Sequence, residues 1–359
     1  MNRETSVYLD ALRFLAALAV FFSHVGTRFH SGGFLWQAVP LGAPAVVVFF
    51  VLSGFVIAFV TERRETSARD YAVARAARIY SVVIPTLVLT ACLDWTGSQI
   101  NPIAYENISQ LIGVGAWHLP AILLFLQMSW ISSVSISPGS DGAYWSLGYE
   151  VIYYALFGFG FYCRKLLRIV GCVALGSIAG PHIIGLFPIW LLGWAAYHAC
   201  GKTSVHPRLG WTAFVTSLGV MILWIVFANV SVDLAEHHVW EIVQDYGLAI
   251  AFAVNLVSFH AVSNSFAAFI RKVEKQIRWL AGATFTLYLL HLPVIFFIKA
   301  TVPWPQDSWQ FRTALIGLPL FVVFCVAQIT ERRKEGWRSA FDWIFNYVAV
   351  WARPTVRKY

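Results

Sequence analysis

The stretch Tyr8–Val25, YLDALRFLAALAVFFSHV, decides how the rest of the chain is read. It is long and apolar enough to cross a bilayer, which takes about 20 residues, yet it carries Asp10, Arg13 and His24. A charge at the centre of a membrane helix costs about 2.5–3.5 kcal/mol on insertion scales, so such groups mark function by default. Arg13 and His24 stand eleven residues apart, close to three turns. They therefore share one face, with an axial offset of about 16 Å. One helix presents a guanidinium low and an imidazole high on a single stripe. The plainer reading is that Arg13 reaches the headgroups and His24 is a satisfied interior group, and it leaves their common register unexplained.

Composition extends this reading to the whole chain. Of 359 residues, 58% are hydrophobic and only 12% charged. Soluble domains carry about 25% charged residues, so the sequence predicts an all-α polytopic membrane protein. The net charge of +8 does not make a nucleic-acid surface. Nearly all Lys and Arg sit in short segments between apolar runs, as orientation signals do. The five cysteines lie in or beside apolar runs, are odd in number and show no CxxC spacing. They read as buried thiols and not as a disulfide framework or metal site. No A-x-A-type cleavage site follows the first apolar run, so it reads as a retained span.

Apolar runs place spans near 8–28, 41–61, 79–96, 144–163, 169–183, 185–200, 210–229, 244–261, 279–299 and 312–330. The fifth and sixth are short. Basic clusters follow the second run (Arg63, Arg64, Arg69, Arg75, Arg78) and the fourth (Arg164, Lys165, Arg168). Others hold Lys202 and Arg208, then Arg271, Lys272, Lys275 and Arg278, then Arg332, Arg333, Lys334 and Arg338. By the positive-inside rule both termini are cytoplasmic. Between the Arg78 and Arg164 clusters lie three apolar stretches, one too many for both clusters to face the same side. The middle one, near 117–133, is short and interrupted by Pro120. It is expected to dip into the membrane and return, a path tolerated only where it lines a cavity or is buried in protein. A full crossing with one misplaced basic cluster is the alternative. The expected architecture is about ten transmembrane helices plus one re-entrant stretch, with residues 1–335 as the membrane domain. The tail 336–359 contains FDWIFNYVAVWARPTVRKY and reads as an amphipathic helix on the cytoplasmic surface.

Three further groups carry chemistry. Glu150, in GAYWSLGYEVIYYALF, lies about two turns inside a span starting on the outer side, at a depth comparable to His24. Ser146 is four residues before it, on the same face. His291, in TFTLYLLHLP, shares a face with Tyr288, although a lone histidine is more often structural. Arg75 and Arg78, in RDYAVARAARIY, lie three apart on a helix entering the third span. Two guanidiniums so placed suit phosphate groups, which they bind as planar forks; topogenic charge is the competing account. No His, Cys and Asp cluster has metal-ligand spacing.

Taken together, these motifs resemble the acyltransferase-3 family of integral membrane acyltransferases, whose carbohydrate O-acetylases modify bacterial surface polysaccharides. The matching pieces are LDALRFLAALAVFFSH (Asp10, Arg13, His24), VVVFFVLSGFVIA (Ser53), ARAARIY (Arg75, Arg78), YWSLGYEVIYY (Trp145, Ser146, Glu150) and TFTLYLLHLPV (Tyr288, His291). Each is weak alone, and five in order over about residues 8–330 are specific. Val151 and Ile152 replace a second acid and a Gln frequent in the family, Gln127-Met128 replaces Gln-Asn, and Ser81 stands where a proline often follows RIY. These departures leave the acceptor open.

The resemblance implies transfer of an acyl group, acetyl by preference, from cytoplasmic acyl-CoA to a hydroxyl of a saccharide or lipid-linked glycan. It implies a multi-pass protein of a bacterial cytoplasmic membrane, with acyl-CoA as co-substrate, membrane lipids around it and no nucleic-acid partner. Arg75, Arg78 and Arg13 would hold the donor. His24 would act as general base, with Glu150 orienting its ring or stabilising its protonated form, and Asp10, Ser53, Trp145, Ser146, Tyr288 and His291 would support the site. A macrolide or other small hydroxylated metabolite is the alternative acceptor. A transporter or flippase is the rival class, since intramembrane Arg, Glu and His also mark substrate paths; no inverted repeat of the transporter kind is evident. The sequence is silent on oligomeric state.

Overall fold

A computed structural model describes residues 1–106, 108, 118–130, 136–202, 206–230 and 238–351, with backbone alone at 227–230, 238–241 and 348–351. All of its regular elements are helices. They are α1 (Arg3–Val25), α2 (Arg28–Ser31), α3 (Gly42–Arg63), α4 (Ala68–Ile100), α5 (His118–Leu123), α6 (Trp145–Tyr162) and α7 (Lys165–Ala179). The second half adds α8 (Pro181–Lys202), α9 (Pro207–Val230), α10 (His238–Val262), α11 (Ala267–Ala281), α12 (Thr284–Thr301), α13 (Trp309–Ala327) and α14 (Lys334–Trp351).

Among the described residues, eight helical stretches are long and apolar enough to cross a membrane: α1, α3 with the turn before it, α4, α8, α9, α10 running into α11, α12, and α13 running into α14. The expectation of about ten is thus corrected at two places. Residues 144–163 and 169–183 do form helices, but α7 is only 15 residues long, about 22 Å against a hydrocarbon core of about 30 Å. The 18 residues of α6 carry Glu150 and four tyrosines, and Tyr153 and Tyr154 are buried among neighbouring helices instead of facing outward. Two boundaries also move. The third span belongs to a 33-residue helix in which Arg75 and Arg78 are part of the same rod as the apolar residues beyond them. The ninth begins at Thr284 and not at 279, because Gly282 and Ala283 separate it from α11.

The tightest helix pairing is α3 against α8, and it rests on two glycines. A Cβ on Gly54 would lie 2.0 Å from the carbonyl oxygen of Trp190, and one on Gly193 would lie 1.9 Å from that of Val51. Backbone meets backbone there, the contact that small residues permit between membrane helices. Around it the buried core draws on α1, α3, α4, α6, α8, α10 and α12.

Only part of the stretch expected to re-enter falls within the described residues; 117 and 131–133 lie outside them. What is described is the six-residue α5 and irregular backbone to Trp130. Its carbonyls are met by tyrosine hydroxyls: Tyr80 donates to Leu123 O at 2.8 Å and Tyr144 to Ile122 O at 3.0 Å. Gln127, fully buried, donates to Tyr144 O at 3.2 Å. Part of this stretch is buried in protein, with the Ile122 and Leu123 carbonyls satisfied, while Leu124 and Trp130 are exposed.

The approach to α6 is fixed from α4. Asp94, buried, accepts from the Ser140 amide at 2.8 Å and the Ser140 hydroxyl at 2.5 Å. Gly139 has φ +62, and a Cβ there would lie 2.1 Å from Asp94 Oδ2, so both the backbone and the space call for glycine. At the far end, α14 packs on α4 through the Arg69–Asp342 ion pair at 3.2 Å and the Tyr80–Phe341 ring contact. Trp343 and Tyr347 point outward from it. Residues 352–359 of the expected tail lie outside the described residues.

Candidate active site

A cavity of about 60 Å³ lies where α1, α3, α4, α6 and α12 converge. Arg13, Ser53, Arg75, Arg78, Ser146, Glu150 and Tyr288 all line it. Seven residues singled out from five separate sequence motifs therefore meet in one space.

The acid end is organised by Glu150. Its Oε1 accepts from the Ser53 hydroxyl at 3.0 Å and from the Tyr154 hydroxyl in a short hydrogen bond. Ser53 in turn accepts from Trp190 Nε1 at 3.1 Å. The carboxylate is thus held by α3, by its own helix one turn on, and indirectly by α8. Further along the wall, the Ser146 and Tyr288 hydroxyls are 2.6 Å apart and join α6 to α12.

The three arginines differ in their partners. Arg75 Nη2 donates to Glu65 Oε1 at 2.5 Å, and its guanidinium lies against the rings of Tyr71 and Tyr154. Glu65 itself is buried in the α3–α4 connection, where burial raises its carboxyl above the ordinary range against the opposing pull of Arg75. Arg13 faces Asp10 at 3.6 Å, and Asp10 also accepts from Arg278 of α11 at 2.9 Å. Arg78 forms no ion pair or hydrogen bond through its side chain among the described residues, and its charged neighbours include Glu150, Glu331, Asp10, Arg13 and Lys334. It is the guanidinium left with free donors in the cavity wall.

His24 and His291 lie together at a second place. Their ring centroids are 5.2 Å apart with planes tilted by 38°. His291 is fully buried and its Nδ1 is 2.9 Å from Leu287 O. Neither histidine lines the cavity; Tyr288, one turn before His291 on α12, links the two places. Among the described residues no hydrogen bond joins Glu150 to the His24 ring. The hydrogen bonds of Glu150 go to Ser53 and Tyr154, and Arg78 is among its charged neighbours. Trp145 stands outside the cavity, edge-on to Tyr149.

The sequence reading passed over Tyr154, Glu65, Glu331 and Trp190. Tyr154 was accessible, being four residues from Glu150 on one helical face. Glu331 accepts from the Phe285 and Thr286 amides at 3.0 and 3.3 Å, at the open N-terminus of α12. In the sequence it is hidden inside a basic cluster. Among the described residues no group of three His, Cys, Asp or Glu side chains is placed to hold a metal ion.

A sequence profile of the acyltransferase domain of acyltransferase-3 proteins matches residues 6–330, from the start of α1 to the end of α13. The chain belongs to the acyltransferase-3 family. It is 29% identical over 191 residues to Acyltransferase MdmB of Streptomyces mycarofaciens, a match covering 50% of this chain and 47% of that one. It is 26% identical over 235 residues to the O-acetyl transferase of Shigella phage Sf6, covering 62% and 69% respectively. The chain thus spans about half the length of the first relative and about two thirds of the second. No solved structure matches. The acyltransferase-3 profile covers every residue that lines the cavity.

Proposed function

We propose that this protein moves an acyl group, acetyl in the first instance, from acyl-CoA to a hydroxyl of a saccharide acceptor. The observation that carries this reading is the single cavity in which Arg13, Arg75, Arg78, Ser53, Ser146, Glu150 and Tyr288 meet. A chain of the acyltransferase-3 family needs a cationic hold for a polyanionic donor, and Arg78 has its donors free for that task. The name of the phage relative, an O-acetyl transferase, supports acetyl as the group and oxygen as its destination.

In this reading the phosphates of the donor are held at Arg75 and Arg78, and the thin pantetheine arm runs along the wall past Ser146 and Tyr288. His24 takes the proton from the acceptor hydroxyl as its oxygen attacks the thioester carbonyl carbon. The C–O bond forms, the C–S bond breaks, and the proton passes from His24 to the departing sulfur, leaving CoA thiol. Glu150 acts on the donor side, setting the position of Arg78 and Tyr154. The basic clusters support cytoplasmic termini, a cytoplasmic donor and an acceptor arriving from the outer side of a bacterial cytoplasmic membrane. The same orientation accommodates a dip at 117–133 and a surface tail from 336 onward.

The test supplies labelled acetyl-CoA to the cytoplasmic side of membrane vesicles and follows label by mass spectrometry of the glycans. Transfer by the wild type, lost in His24→Ala with protein levels unchanged, is the expected result. Unmodified substrate crossing the membrane would mark a carrier and remove the proposal.

A further inference from the structure

The hydrogen bonding of His291 fixes which of its nitrogens carries the proton. A carbonyl oxygen can only accept, so the 2.9 Å contact with Leu287 O places the hydrogen on Nδ1. In the neutral ring Nε2 is then a bare lone pair. That atom is buried and has no hydrogen-bond partner. A buried acceptor left unpaired is costly, so its retention calls for a donor that arrives at some stage of the working cycle.

The neighbouring ring is that of His24. A centroid separation of 5.2 Å is about what two imidazoles joined edge to edge by an N–H···N bond require. Phe21 closes the other side of His291, edge-on with its centroid at 6.1 Å, and offers no polar group. Glu150 is bound to Ser53 and Tyr154. His24 itself makes no side-chain hydrogen bond among the described residues; its ring lies against that of His291.

We propose that His291 is the positioning residue of His24, its Nε2 lone pair receiving an N–H of the His24 ring once His24 has taken up the acceptor's proton. This rests on the acyl-transfer reading and assigns the stabilisation of the protonated base to an imidazole on α12. The neutral lone pair is suited to the task, because it can accept from an imidazolium without holding a permanent negative charge in an apolar surrounding. The protonated His24 has one more N–H than the neutral ring, and His291 Nε2 is the free acceptor beside it.

The test uses the full chain in proteoliposomes, with acetyl-CoA on the donor side and a glycan fraction extracted from producing cells as acceptor. His291→Gln keeps a carbonyl oxygen available to accept, whereas His291→Met keeps only bulk. The expected result is that His291→Met lowers kcat by about 10- to 100-fold with KM for acetyl-CoA unchanged, and that His291→Gln recovers most of it. Equal losses in both variants, or a rise in KM in place of a fall in kcat, would overturn the assignment. A second arm labels histidine with ¹⁵N. Nδ1 of His291 is expected to carry the proton, and the His24 signals are expected to move in His291→Met and not in His291→Gln. A proton on His291 Nε2 sinks the proposal whatever the kinetics show. Absence of any transfer by the wild type strikes instead at the acyl-transfer reading, and the ¹⁵N signals still decide whether the two rings are joined.

Discussion

Ser53 donates to Glu150 across the α3–α6 interface at 3.0 Å and accepts from Trp190 of α8 at 3.1 Å. One hydroxyl thereby ties the cavity carboxylate to a buried indole on a third helix. Ser53→Ala leaves the Trp190 N–H buried and unpaired and removes one of two donors to Glu150. The expected cost is about 1–3 kcal/mol of stability, read as a lower Tm in detergent, with a fall in transfer rate of about tenfold. An unchanged Tm would show that the indole finds another partner.

Arg75 and Arg78 are three residues apart yet should answer differently to truncation. Arg75→Ala abandons the buried Glu65 carboxylate, a loss of about 3–5 kcal/mol for a broken buried pair. Poor expression and a depressed Tm are expected, partly restored by adding Glu65→Gln. Arg78→Ala breaks no ion pair, so its Tm should stay near wild type while KM for acetyl-CoA rises about tenfold. Titrating the donor against both variants separates the two roles.

Gly54→Ala and Gly193→Ala each push a methyl group into a facing carbonyl at about van der Waals overlap. Overpacking costs about 1–3 kcal/mol when side chains can yield, and backbone yields less. Both variants are expected to lose more Tm than Gly160→Ala, whose Cβ would meet open space. Fluorescence-detected size exclusion after a heat step ranks the three.

His30 supplies a pH dependence. It lies in the short α2 outside the spans, and burial first, then the nearby Lys299 and His24, lowers it to about 3. Its folded value is below that of the unfolded chain, so the unfolded state binds its proton more readily. Stability is complete above about pH 6.5 and falls as the pH drops from there toward 3, by up to about 1.4 kcal/mol per unit. The wild-type Tm should decline between pH 7 and pH 5, and His30→Gln should flatten that slope.

The sequence carried more of the site than of the fold. Arg13, Arg75, Arg78, Glu150, Ser146, Ser53 and Tyr288 could be picked out because polar groups in apolar runs stand against their background, and all seven line one cavity. Which of them touch was not legible. Glu150 pairs with Ser53, 97 positions away in the chain, and no local pattern encodes that distance. Span counting erred at α6 for a related reason, since hydropathy does not separate a helix buried in protein from one facing lipid, and at α7 because an apolar run need not be helical over its whole length. The tyrosine-rich α6 is covered by neighbours, a fact of packing and not of composition, whereas α7 leaves Leu166, Leu167, Ile169, Val170 and Val173 exposed and is simply too short.

The glycine-backed contact between α3 and α8 has a mechanical corollary. Two rods whose main chains already touch have no slack, so they form a rigid keel along one side of the chamber. Opposite them, α4 and α6 are separated by an apolar cleft of about 450 Å³ bordered by Arg75, Ile79 and Tyr154, which the chamber shares. Whatever breathing admits a bulky thioester is therefore left to that flank, and a spacer that pins α4 to α6 should jam the machine while one that pins α3 to α8 should go unnoticed.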